Sequence, residues 1–218
     1  TRFGVDSDNN YKLRYWYITP GVYKNGEWQV YSHKNLGDQY NALYDVQIEL
    51  TTPPQYYVGS ALNFKGVSTS NGAKTVKLSG KDQLDSKLYL TNSFIFESLP
   101  TDDHEIITNV ADDELQPEIK RILLNRILKY YQERVGEYPH QKIFVTRDDY
   151  LNSPIYGLNQ LPGFIRPFPD GFQYDIKQFK TITNYLLENS IHINPRKKQW
   201  VHDPILVSLM LDFVNKYF

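Results

Sequence analysis

The sequence predicts an α+β protein: an antiparallel, β-rich half over residues 1–110, followed by an α/β region over residues 111–218. Three observations predict it. In the first half, short runs rich in aromatic and β-branched residues alternate with polar ones and stop at Gly, Pro or Asn-Gly signals. Near Ala111 the apolar spacing changes from two to three and four. Beyond residue 148, a stretch dense in proline and glycine separates helical patterns.

The β signals follow in order. Tyr15-Trp16-Tyr17-Ile18 reads as a strand that ends at Thr19-Pro20-Gly21. Asn25-Gly26 marks a two-residue hairpin turn before Trp28-Gln29-Val30-Tyr31. Tyr44 to Leu50 alternates cleanly and stops before Pro53-Pro54. Tyr56 to Leu62, Lys74 to Leu78, Lys87 to Leu90 and Ser93 to Glu97 complete seven short strands, punctuated by Gly59, Asn71-Gly72 and Gly80. Such spacing suggests an antiparallel sheet or sandwich.

The helical signals come next. Asp112, Asp113 and Glu114 place negative charge near a helix start, and Pro117 suits the first turn. Ile119, Ile122, Leu123, Ile127, Tyr130 and Tyr131 give an amphipathic helix to about Val135, with Gly136 as its stop. Lys142 to Thr146 reads as a strand, and residues 148–174 read as loop. Asp175-Ile176-Lys177-Gln178 has the form of a capping box opening a helix to Ser190. Asp203-Pro204 suits the start of a last helix, apolar nearly all round, that is expected to be buried.

Composition excludes several functions. The 218 residues include 24 basic and 25 acidic side chains, for a net charge of -1. That balance argues against an electrostatic nucleic-acid binder, which needs a basic excess or stripe. The absence of cysteine excludes a disulfide scaffold, a thiolate zinc site and a cysteine nucleophile. No run approaches the roughly 18 apolar residues of a membrane span. Thr1-Arg2-Phe3 has no signal-peptide pattern, and the chain starts without methionine and ends in an apolar helix, so a longer parent is expected. No Ser-His-Asp order, phosphate-cradling loop or nucleophile elbow is present.

Three segments resemble the aminopeptidase N-like zinc metallopeptidases, the gluzincins. Tyr44 to Leu50, with the following proline turn and Tyr56-Tyr57-Val58-Gly59, resembles late strands of that family's N-terminal β domain. Ile127 to Pro139, with Gly136-Glu137-Tyr138-Pro139, Lys142 and a strand, resembles the helix and Gly-x-Tyr-Pro turn that begin its thermolysin-like domain. Trp200-Val201-His202-Asp203-Pro204 resembles the family's W-L-x-E-G segment. The resemblance implies that residues 111–218 are the start of a thermolysin-like α/β catalytic-type domain, truncated at its end. It also favours an extracytoplasmic or envelope protein.

The family holds zinc with H-E-x-x-H on a helix and a glutamate nineteen positions after the second histidine. With Asp203 at the glutamate, that second histidine falls on Asn184, the first on Lys180 and the general base on Thr181. An ammonium repels a dication, a carboxamide is a poor zinc ligand, and threonine cannot take a proton from metal-bound water. No catalytic residue, metal ligand or cofactor is therefore expected, although active relatives use zinc. The G-x-M-E-N motif that positions substrate has its counterpart in Gly157-Leu158-Asn159-Gln160, which lacks the glutamate. Asp203 has two readings, an N-cap beside Pro204 and a charge partner of Lys180 across the vacated metal place.

The expected function is that of a metallopeptidase homologue without hydrolysis, binding or scaffolding a peptide or protein. Strand addition uses only backbone groups and can outlive lost catalysis. One rival is an active zinc aminopeptidase with ligands from elsewhere, such as Glu188, His192, His202 and Asp203. A second is a β-rich glycan-binding module, suggested by 18 tyrosines and 3 tryptophans. Oligomeric state is not written in the sequence.

Overall fold

Alternation and turn chemistry in the first half, and helical periodicity in the second, produce a mixed α/β chain with mostly antiparallel sheets. In the computed structural model the described residues are 4–18, 21–29, 42–93, 95–110, 115–151, 172–190 and 201–217. They fall into two compact units, one before Phe96 and one from Phe96 onward.

The first unit holds β1 (Gly4–Val5), β2 (Tyr11–Leu13), β3 (Tyr23–Lys24), β4 (Glu27–Trp28), β5 (Tyr44–Thr52), β6 (Tyr57–Gly59), β7 (Asn63–Ser70), β8 (Ala73–Gln83) and β9 (Leu88–Thr91). One sheet has the order β1-β2-β9-β6, another β5-β8-β7, and β3 and β4 make a separate ribbon. Ile48, Val76 and Leu78 of the second sheet pack with Leu88, Leu13 and Val58 of the first, so the two sheets share a core. The hairpin turns are where Asn-Gly requires them. Asn25 and Gly26 have φ of 56° and 84°, and Asn71 and Gly72 have 50° and 73°, the pattern of a type I′ turn.

Three expectations need correction here, the first being the strand read over Ser93 to Glu97, which begins only at Glu97 and runs to Pro100. Residues 15–18 are not a strand; the strand is Tyr11–Leu13, and Tyr15 sits at φ 54°. The side chains of that stretch anchor a neighbouring loop instead. Arg14 Nε lies 2.6 Å from Asp85 Oδ2, and Trp16 Nε1 donates to the Ser86 carbonyl at 3.2 Å. Residues 63–70, unassigned from the sequence, form β7. A bulge between Phe64 and Gly66 breaks the alternation that would have marked it.

The second unit holds β10 (Glu97–Pro100), β11 (Glu105–Thr108), α1 (Pro117–Arg134), β12 (Lys142–Val145), α2 (Arg147–Leu151), α3 (Phe172–Ser190) and α4 (His202–Tyr217). β10 pairs antiparallel with β11, and β11 pairs parallel with β12 across the α1 connection. The parallel pair is what draws this hairpin into the helical unit. α1 starts at Pro117 and stops where the spacing and Gly136 (φ 129°) require. α2 was read as loop; Thr146 and Asp149 cap it reciprocally, with Thr146 N–H donating at 2.9 Å to Asp149 Oδ2 and Asp149 N–H at 3.2 Å to Thr146 Oγ1.

α3 begins at Phe172, so Asp175 lies within its first turns and is not its N-cap. Gln178 does not reach back to close a box: its Nε2 donates to the Val110 carbonyl at 2.6 Å. α4 begins at His202, one residue before the expected cap, and is one-sided: Leu206, Met210 and Phe213 are buried while Leu211 is 48% exposed. Of the described helices, none is long and apolar enough to cross a membrane.

Gly80 tests the packing of the first unit. A Cβ there would lie 2.6 Å from Leu62 Cδ2, and Leu62 is itself buried. Gly80→Ala is expected to lower stability by about 1–3 kcal/mol, the scale of overpacking a tight core, seen as a lower urea midpoint. An unchanged midpoint would show that the two sheets do not close on Leu62.

Candidate functional site

The positions singled out by the sequence lie in the middle of α3. This helix packs against β12, α1, α2 and α4. Its apolar side chains make most of the core with Leu124, Ile127 and Tyr130 of α1 and Leu206, Met210 and Phe213 of α4. Phe179 stacks on Phe213 with ring centroids 4.3 Å apart. Tyr130 ties α1 to α4: its hydroxyl lies 2.7 Å from Asp212 Oδ2 and 2.9 Å from the Leu209 carbonyl. Burial and the neighbouring Asp212 carboxylate push the Tyr130 phenol above its usual range.

Packing on several sides closes the centre of α3. Gln178, Phe179, Lys180, Thr181, Ile182 and Thr183 are all buried in succession, and Lys180 is 0% exposed. Four of these six are polar. An ordinary amphipathic helix turns such groups to water; here they lie in the interior. Thr181 donates its hydroxyl proton to the Lys177 carbonyl at 2.7 Å. Among the described residues, Gln178 Oε1 and Thr183 Oγ1 are buried without a hydrogen-bond partner. Burial pushes the Lys180 ammonium down to about 8 from the usual lysine value of 10.5.

The structure therefore places Lys180 and Thr181 side by side in the interior, and Asn184, one turn beyond Lys180, half-buried. Asp203 is the second residue of α4, and its side chain lies outside the described residues. The pairing of Lys180 with Asp203 is thus left undescribed. Gly157, Leu158, Asn159, Gln160 and His192 also lie outside the described residues. The donor set that is described does not suit zinc: a buried ammonium, a hydroxyl already spent on a carbonyl and a carboxamide. Among the described residues, no group of three or more His, Asp or Glu side chains is arranged to hold a metal ion.

A second feature escaped the sequence. A cleft of about 740 Å³ opens between the β10–β11 turn, the outer face of α1, the turn after α1 and the end of α4. Asp102, Asp103 and Glu137 bring acid to its wall, and Arg126 and Lys129 bring base. Its geometry is held from within. The Asp102 N–H donates to Asn125 Oδ1 at 3.0 Å, and the Tyr138 hydroxyl lies 3.4 Å from that of Tyr185. The Gly136-Glu137-Tyr138-Pro139 turn was the one trace of it in the sequence. A cleft of this volume lies in the range of ligand pockets. No protein-family model matches the chain, and no curated protein matches it.

Lys180 gives a test by pH. For a buried base the folded value lies below the unfolded one. Its unfavourable contribution is complete below pH 8 and is relieved as pH rises toward 10.5. Wild-type stability should gain over that window relative to Lys180→Met, which keeps most of the volume and loses the charge. At pH 7 the variant should be the more stable of the two, by about 1 kcal/mol or more. Urea midpoints of both proteins against pH measure this, and parallel curves would contradict it.

Proposed function

We propose that the chain is a metallopeptidase homologue of the aminopeptidase N-like type that has lost zinc-dependent hydrolysis and serves as a peptide- or protein-binding module. In this reading residues 111–218 are the opening of a thermolysin-like domain, and α3 is the helix that bears the zinc motif in active relatives. The observation that carries it is the buried Lys180, in the middle of α3 at the position that the motif's spacing gives the first histidine. A fixed ammonium there supplies a positive charge without Lewis-acid chemistry, and Thr181 in place of the glutamate leaves no base for water. The polar interior of α3 supports the same reading: apolar packing would be better served by apolar residues. The cleft beside α1 offers room for a few residues of peptide.

A glycan-binding reading has one observation in its favour. Tyr23 and Trp28 on the β3–β4 ribbon are 61% and 65% exposed, with rings 5.2 Å apart. Their interplanar angle of 63° makes a corner where sugar stacking needs a flat platform, so the peptide reading is preferred.

The test is an aminopeptidase assay on the pure protein with zinc added and with a chelator, run beside zinc titration by calorimetry. No chelator-sensitive cleavage and no stoichiometric zinc isotherm are expected. Cleavage abolished by chelation would restore the enzyme reading, with ligands drawn from elsewhere.

A further inference from the structure

We draw no further inference here: the strongest candidate, the cleft of about 740 Å³ beside α1, mixes the acids Asp102, Asp103 and Glu137 with the bases Arg126 and Lys129 along its wall, and nothing in the structure shows what occupies it.

Discussion

An ammonium without access to water is the constraint around which the second unit is organised. From Gln178 to Thr183 the helix is enclosed, yet it carries a lysine, a glutamine and two threonines where a core would ordinarily place apolar residues. Burying a charge is costly unless something nearby answers it. Burial pushes the Lys180 ammonium down to about 8. The apolar side chains of α3, stacked against Phe213 and packed with α1, hold this polar stretch in the interior. Among the described residues there, Lys180 carries a positive charge and Thr181 bonds its own helix.

The first unit obeys a different constraint. Its two sheets share a modest core, closed tightly at Gly80 and Leu62. β7 extends beyond that core. Phe64 and Val67 lie on the buried face by register and in water by exposure.

Much of the fold was legible because local signals agreed with tertiary demands. α1 follows from three-and-four spacing between Pro117 and Gly136, and the β7–β8 turn from Asn71-Gly72. Where local pattern and tertiary role part company, the sequence misleads. Tyr15 to Ile18 reads as a strand by composition, but Trp16 within it hydrogen-bonds the Ser86 carbonyl. Asn63 to Ser70 is a strand hidden by its bulge. Asp175 and Gln178 have capping-box spacing, yet the helix began earlier and Gln178 turned to Val110. The parallel pairing of Glu105–Thr108 with Lys142–Val145 joins segments far apart in the chain and leaves no local trace. Motif spacing put Lys180, Thr181 and Asn184 on one helix; their burial depends on α1, α4 and β12 together. The cleft beside α1 is likewise a product of elements brought together only by folding.

The most direct test of the account is an anomalous difference map, collected at the zinc edge from crystals grown with excess zinc. The account predicts no peak within bonding distance of residues 180, 184 and 203, with the Lys180 side chain well ordered in the interior of α3. An ordered peak coordinated at that place would contradict it.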